Sequence, residues 1–327
     1  MYKASKIVFK LAAAATLAAL YGPAMAQSGS YPEKTVRLVV PFSPGGAIDI
    51  MGRLTAQKLS EALGAQVIVD NRAGAGGAIG TDIVAHAAPD GYTLLVSSTS
   101  PISINPHINK VPYDPVASFT AIAMVANSPQ MMVVPPSLPV KNVKEFIALA
   151  KARPDALNFG SSGVGTIIHV TGEMFAQRAG IKLLHVPYKG AAPAVIDTMA
   201  GQVTMLCAAY SSVATQMRAG KLKALAVTSL KRMELEPNVP TMSESGLPGF
   251  ESNQWWAVSG PAGMHTAVVS RLNADLNKIV RTDDVKKRLA ADGAEPGGGT
   301  PAELAAYIRK DYEKWGAVIR TVGIKGE

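Results

Sequence analysis

The sequence predicts an α/β protein whose doubly wound parallel sheets are divided between two domains. Apolar runs alternate with segments of helical periodicity along most of the chain, an order typical of parallel strands joined by helices. Hydrophobic residues form 48% of the 327-residue sequence and aromatic residues only 6%, a balance typical of aliphatic strands buried between helices. About 300 residues follow a predicted leader, which exceeds the usual size of a single core.

The N-terminus has the pattern of a secretory signal peptide. Three lysines precede an uncharged run over residues 11–20, and Ala24-Met25-Ala26 forms a cleavage motif of small residues. The apolar run is shorter than the roughly 20 residues that a membrane span needs. We therefore expect cleavage near Ala26 and a periplasmic protein. Gln27, not a cysteine, directly follows the cleavage motif, so we expect no lipid anchor.

Two strand and helix series follow the leader. The first has predicted strands at 36–40, 67–70 and 93–97 and helices at 48–63 and 79–87. The second begins near Ser128 and has predicted strands at 131–134, 157–159, 182–186, 203–208 and 222–227 and helices at 143–153, 167–178, 193–200 and 213–220.

The C-terminal part begins with a segment rich in proline and glycine over residues 236–250. Helices are predicted at 267–281 and 301–319, and Thr300 before Pro301 is a strong start signal for the second. We expect the chain to enter a second domain near Asn127 and to return near Glu251, which makes a two-crossing hinge. The predicted division is a signal peptide over 1–26, domain 1 over 27–127 and 251–327, and domain 2 over 128–250.

Glycine- and serine-rich turns follow several predicted strands, at residues 41–49, 71–80, 97–101 and 158–166. A strand-to-helix turn presents free backbone N–H groups and the positive end of a helix dipole. Such a turn binds an anion without a basic side chain. Because ligands bind at the carboxyl ends of parallel strands, we expect these turns to converge on one cleft.

Charge and residue content argue against several classes of function. The net charge of +8 falls to about +5 without the leader lysines, and lysines and arginines do not cluster with aromatic residues, so no nucleic-acid partner is expected. Cys207 has no second cysteine to pair with. The five histidines lack metal-site spacing, and the glycines at 74–80 depart from the dinucleotide fingerprint at Ile79. We expect no metal and no cofactor.

A hydrolase is the alternative from another class. Residues 160–164 resemble a nucleophile elbow, but Val164 stands where that motif requires glycine. His169 lies seven residues after Ser162 on the predicted helix. An exported serine hydrolase using Ser161 or Ser162 with His169 is therefore the rival hypothesis.

Eight motifs, each weak alone, occur in a fixed order at residues 40–49, 69–77, 89–94, 161–169, 186–190, 225–228, 239–250 and 260–263. Together they closely resemble the substrate-binding receptors of tripartite tricarboxylate transporters, also called Bordetella uptake gene proteins. The resemblance implies a periplasmic-binding-protein fold of the Venus flytrap type and no enzymatic activity. It also implies a monomer that captures a small organic anion, such as a mono- or dicarboxylate or an aromatic acid, for membrane transporter subunits. A ligand sensor for a membrane signalling protein is a further alternative.

The resemblance also implies which residues contact the ligand. Those of domain 1 are Phe42, Ser43, Gly45, Gly46, Asp49, Ser97, Ser98 and Thr99, and those of domain 2 are Ser161, Ser162, Thr166, His169, Tyr188, Lys189 and Gly190. Asp49 is equally suited to stabilising the first turn of its helix. The family often has acidic residues near positions 204 and 208, and their absence here argues against an amino acid ligand. Ala191 replaces a frequent glycine and narrows that wall of the predicted cleft.

Overall fold

Ten strands form one mixed sheet in the computed structural model, which describes residues 31–154 and 156–324. The predicted signal peptide lies outside the described residues. The strands are β1 (Val36–Val40), β2 (Val67–Asn71), β3 (Thr93–Ser98), β4 (Phe119–Val134), β5 (Asn158–Ser161), β6 (Leu184–Pro187), β7 (Met205–Ala209), β8 (Lys223–Val227), β9 (Asn253–Pro261) and β10 (Glu295–Gly298). Their order is β2-β1-β3-β9-β4-β7-β5-β6, with β8 and β10 also paired to β4.

Helices connect and cover these strands. They are α1 (Ala47–Leu63), α2 (Ala78–Ala85), α3 (Asn105–Ile108), α4 (Val143–Ala152), α5 (Ile167–Ala179), α6 (Ala191–Met199), α7 (Tyr210–Arg218), α8 (Thr266–Ile279), α9 (Asp283–Ala291) and α10 (Pro301–Val322). A 3₁₀ turn at Ala75–Gly77 precedes α2, and a π turn at Ser100–Ile104 precedes α3. Among the described residues, no helix combines the length and the apolar composition needed to cross a membrane.

The predicted parallel pairings are confirmed at both ends of the sheet. Strand β1 runs parallel to β2 and β3, and β5 runs parallel to β6 and β7. The centre of the sheet is different, because β9 is antiparallel to both β3 and β4, and β4 is antiparallel to β7 and β8. The prediction missed β9, β10, α9 and the first twelve residues of β4.

Strand β4 links the two halves of the sheet. Its residues 119–129 pair with β9, whereas residues 130–133 pair with β7. We call β1–β3, β9, β10 and residues 119–129 the first half, and residues 130–134 with β5–β8 the second half. The change of partner falls beside the predicted crossing at Asn127, and the other connection runs from β8 to β9 past Glu251. The exact domain boundaries remain a prediction.

A buried hydrogen-bond network ties the two connections together. The Gln130 side-chain amide donates to the hydroxyls of Thr171 and Ser252, over 2.8 and 3.0 Å. The Thr228 hydroxyl accepts from the Gln130 backbone N–H and donates to the Ser252 carbonyl. Buried polar groups that are paired in this way favour one specific arrangement of the chain.

The long C-terminal helix packs along the molecule. The predicted start of α10 is confirmed, because Thr300 and Glu303 form a capping box. Trp315 and Ile319 of α10 lie in a core cluster with residues of the second half, while Leu304 and Ile308 lie in a cluster with β1 and β3 of the first. The Trp255 indole N–H donates to the buried Asp311 carboxylate over 2.7 Å, which fixes β9 against the same helix.

Candidate functional site

A small cavity of about 40 Å³ lies where the loops after β1, β3, β5, β6 and β7 meet. Strand β9 closes it from the side. The lining residues are Phe42, Ser43, Gly46, Ala47, Ile48, Ser98, Thr99, Ser100, Ser162, Ile167, Ile168, Ala191, Ala209, Ser212, Gln254 and Trp256. Their position agrees with the expected cleft at the carboxyl ends of parallel strands. Both halves of the sheet contribute to its wall.

Four helices begin at this cavity. The first turns of α1, α5 and α6 contribute Ala47, Ile167 and Ala191, and α7 begins directly after Ala209. No N-cap side chain bonds to the first turn of α1, α6 or α7. Each N-terminus carries about half a positive charge and N–H groups that have no carbonyl partner within the helix. Among the described residues that line the cavity, none has a charged side chain, so the helix ends dominate its electrostatics.

The two halves of the sheet contact each other at the cavity through reciprocal hydrogen bonds. The backbone N–H of Ala47 at the start of α1 donates to the hydroxyl of Ser212 on α7 over 3.0 Å. In the opposite direction, the N–H of Ile167 at the start of α5 donates to the Ser100 hydroxyl over 3.0 Å. The Ser43 N–H also reaches the Lys189 carbonyl over 3.4 Å. These bonds join the two halves beside the cavity, and we call this the closed arrangement.

Two polar side-chain atoms in the cavity wall are buried without a hydrogen-bond partner. They are the hydroxyl Oγ of Ser43 and the amide Nε2 of Gln254. An unpaired buried donor costs about 1–3 kcal/mol, and such groups are rare in folded proteins. Because one atom belongs to a loop after β1 and the other to β9, the two approach the cavity from different elements. They are suited to a ligand that accepts hydrogen bonds.

A second, adjoining cavity of about 380 Å³ shares Phe42 and Ser162 with the small one. Its other lining residues are Gly74, Ala75, Gly76, Gly77, Ala78, Asn105, Asn109, Lys110, Val111, Gly163, Val164, Pro187, Tyr188 and Lys189. The loop at Gly76 closes tightly on the opposite half, since a Cβ atom there would lie 2.5 Å from the Val164 carbonyl oxygen.

The structure places the fifteen predicted contact residues in three groups. Six line the small cavity: Phe42, Ser43, Gly46, Ser98, Thr99 and Ser162. Tyr188 and Lys189 line the adjoining cavity instead. The other seven line neither cavity: Gly45, Asp49, Ser97, Ser161, Thr166, His169 and Gly190. Ligand contact by any of the fifteen remains a prediction.

Asp49 stabilises the loop after β1 through hydrogen bonds. Its carboxylate accepts hydrogen bonds from the Gly45 N–H, the Asn71 amide and the Arg53 guanidinium, over 2.9–3.0 Å. Burial opposes ionisation of this carboxyl group, but these donors outweigh it and hold the pKa of Asp49 below its usual value. The Asn71 amide also donates to the Phe42 carbonyl over 3.0 Å. Asp49 thus fixes the turn that lines the cavity.

Several of the other predicted contacts have structural partners. The Ser97 hydroxyl donates to the Ala257 carbonyl between β3 and β9. The Thr166 hydroxyl donates to the Gly163 carbonyl and caps α5 by accepting from the His169 N–H. These bonds stabilise the strand and the loop from which the cavity is built.

Ser161 pairs with a histidine other than the predicted one. Its hydroxyl lies 2.6 Å from Nε2 of His185, and the ring of His185 stacks on His169 with centroids 4.1 Å apart. Burial lowers the pKa of His169 to about 3, helped by the neighbouring His185, and burial lowers the pKa of His185 to about 4. Both rings are therefore neutral at pH 7. Nδ1 of His169 accepts a hydrogen bond from the Gly165 N–H over 3.4 Å.

The stacked histidines predict acid sensitivity. Each pKa is lower in the folded than in the unfolded chain, where it is about 6.5. Their contribution is thus fully present above about pH 6.5 and lost as the pH falls towards 4. We expect the melting temperature to fall over this interval, and the fall to be smaller in His185→Gln, which keeps a donor for Ser161. Thermal denaturation from pH 7.5 to 4 checks this, with the exposed His86→Gln as control. If the melting temperature of His185→Gln falls with pH as much as that of the wild type, the stacked histidines are not the source of the acid sensitivity.

Sequence reasoning missed Ser100, Ser212 and Gln254 in the cavity wall. Ser212 lies in the first turn of α7, which begins at Tyr210 and not at the predicted residue 213. A helix predicted from residue 210 would have placed Ser212 beside the turn after β7. Gln254 and Trp256 share one face of β9 because side chains alternate along a strand. That signal was available only if residues 253–261 were assigned to a strand.

Comparison with known proteins finds a matching family and similar chains, two of them with solved structures. The family described as tripartite tricarboxylate transporter family receptor matches residues 51–324. Protein BugT of Bordetella pertussis is 37% identical over 298 residues, covering 90% of this chain and 91% of its own. The structure of Rpa4515 from R. palustris with adipate has a TM-score of 0.89 at 34% identity, covering 91% of this chain and 100% of its own. MatC from Rhodopseudomonas palustris with bound malate has a TM-score of 0.85 at 30% identity, covering 88% and 100%.

Proposed function

Because the chain belongs to the tripartite tricarboxylate transporter receptor family, we propose that it is a periplasmic receptor that captures a small organic carboxylate and delivers it to the membrane subunits of a transporter. The main support for the proposal is the small cavity, at which four helices begin and whose described lining residues have no charged side chain. Adipate and malate in the two related structures support a carboxylate as the ligand.

Hydrogen-bond donors that line the small cavity explain how it would bind a carboxylate. A carboxylate accepts about four hydrogen bonds, and helix N-termini offer both N–H groups and a favourable potential. The Ser43 hydroxyl and the Gln254 amide supply two donors without a present partner. Because donors come from both halves of the sheet, the ligand binds the closed arrangement more tightly and shifts the population towards it. No bond is made or broken.

Release to a transporter fits the same geometry. The hydrogen bonds that Ala47, Ile167 and Ser43 donate across the halves would have to break for the cavity to open and release its ligand. The predicted signal peptide supports a periplasmic location, and the oligomeric state stays as predicted from the sequence, a monomer. The absence of an acidic residue in the lining argues against a ligand ammonium group.

Native mass spectrometry of protein purified without dialysis, followed by a thermal-shift screen of carboxylates, tests the proposal. A ligand at a hundredfold excess over its Kd stabilises the fold by about 2.7 kcal/mol, which raises the melting temperature by several degrees. We expect such a shift with carboxylic acids and none with the matching amides. A shift with amides alone contradicts the proposal, as does turnover of carboxylate esters that is lost in Ser162→Ala.

A further inference from the structure

The adjoining cavity differs from the small one in its charge. Lys110 and Lys189 line it, and no acidic residue is among its described lining residues. Both lysines are exposed, and neither has an ion-pair partner within the part of the chain that the structure describes. The Tyr188 hydroxyl in the same wall is already used, since it donates to Asp197 over 2.6 Å. The free charge in this cavity is therefore positive.

The two cavities differ in size, so they have room for different parts of one ligand. A water molecule needs at least about 10–15 Å³ of cavity volume, so the small cavity, at about 40 Å³, has room for roughly three waters. That space suits a carboxylate group and little more. Phe42 and Ser162 belong to both walls, so the remainder of a longer acid extends past them into the adjoining cavity of about 380 Å³.

The two lysines come from opposite halves of the sheet. Lys110 follows α3 in the first half, and Lys189 precedes α6 in the second. An anion held between them is in contact with both halves, so it favours the closed arrangement. The carbon chain between two acidic groups then lies against Phe42 and the glycine-rich loop at 74–77.

We propose that Lys110 and Lys189 form a second anion subsite in the adjoining cavity, which selects carboxylates that carry another acidic group at the far end of a carbon chain. The proposal rests on the proposed function, because the first carboxylate is taken to occupy the small cavity. The lysines determine specificity, and the helix N-termini provide the common binding site.

Calorimetric titration with pairs of acids of equal carbon number tests the subsite. The pairs are succinate with butanoate and adipate with hexanoate, each dicarboxylate differing from its partner by one acidic group. We expect the wild type to prefer the dicarboxylate in at least one pair. Lys189→Met and Lys110→Met are each expected to weaken binding of that dicarboxylate about twofold to fivefold, as for the loss of an exposed ion pair, and to leave binding of the monocarboxylate unchanged.

Matched variants separate this effect from the general charge of the protein. Lys189→Arg keeps the preference, and Lys151→Met, at an exposed lysine of α4, leaves all four affinities unchanged. Equal weakening of both acids in a pair overturns the subsite while leaving the proposed function intact. A wild type without preference for either dicarboxylate also overturns it. Failure of every acid to bind overturns both the subsite and the proposed function.

Discussion

Ser162→Leu is expected to abolish carboxylate binding while the protein still unfolds cooperatively. Ser162 is 8% exposed and lines both cavities, so a larger side chain at this position enters one of them. Overpacking a buried site costs about 1–3 kcal/mol of stability, which a protein of this size tolerates. We expect the affinity to fall more than about a hundredfold, because the volume available to the carboxylate is lost.

Titration calorimetry and thermal denaturation of the same samples check this expectation. Ser137→Leu, at an exposed serine of the second half, is the matched control and keeps wild-type affinity. Ser162→Ala does not reduce the volume of the cavity, so we expect only a modest loss of affinity. Tight binding by a folded Ser162→Leu protein places the ligand elsewhere.

Gln254→Leu is expected to change stability and affinity in opposite directions. The Nε2 atom of Gln254 is buried without a partner, so its replacement by an apolar side chain of similar size removes an unfavourable group. We expect the free energy of unfolding to rise by about 1 kcal/mol in the absence of ligand. The same change removes a donor to a charged ligand, which costs about 1.5–3 kcal/mol, or roughly tenfold to a hundredfold in Kd.

A glutamine whose amide is already paired provides the control. Gln177 Nε2 donates to the Thr321 carbonyl over 2.9 Å, so Gln177→Leu is expected to lose a little stability and to bind normally. Urea denaturation gives the stability of both variants, and calorimetry gives their affinities. A Gln254→Leu protein that is both less stable and unchanged in affinity shows that Gln254 is a structural residue.

The sequence predicted the parts of the fold that local patterns control. Strand β1 and the start of α10 match because an aliphatic run and a capping box are local signals. The predicted strand at 131–134 matches only the end of β4, because Asn127, Ser128 and Pro129 in the middle of β4 resemble a linker. In the structure these residues lie beside the point where β4 changes its antiparallel partner from β9 to β7, which explains how proline is accommodated there.

The same distinction between local patterns and distant contacts applies to the candidate site. Turns after β1, β3 and β5 were predicted, because glycine and serine after an aliphatic run are visible in the sequence. The position of Gln254 depends on β9 lying between β3 and β4, both of which are far from β9 along the chain, and no local pattern encodes that pairing. The role of Asp49 depends on Asn71 and Arg53 meeting it in space, and the pairing of Ser161 with His185 depends on the register of β5 against β6.

A crystal structure of the protein with adipate tests the central claim most directly. We expect one carboxylate in the small cavity, with its oxygens about 3 Å from backbone N–H groups at the helix N-termini and from the Ser43 hydroxyl and Gln254 amide. We expect no arginine or lysine nitrogen within salt-bridge distance of that carboxylate. A basic side chain paired with it there, or an acid bound outside the small cavity, contradicts binding by backbone N–H groups and neutral side chains.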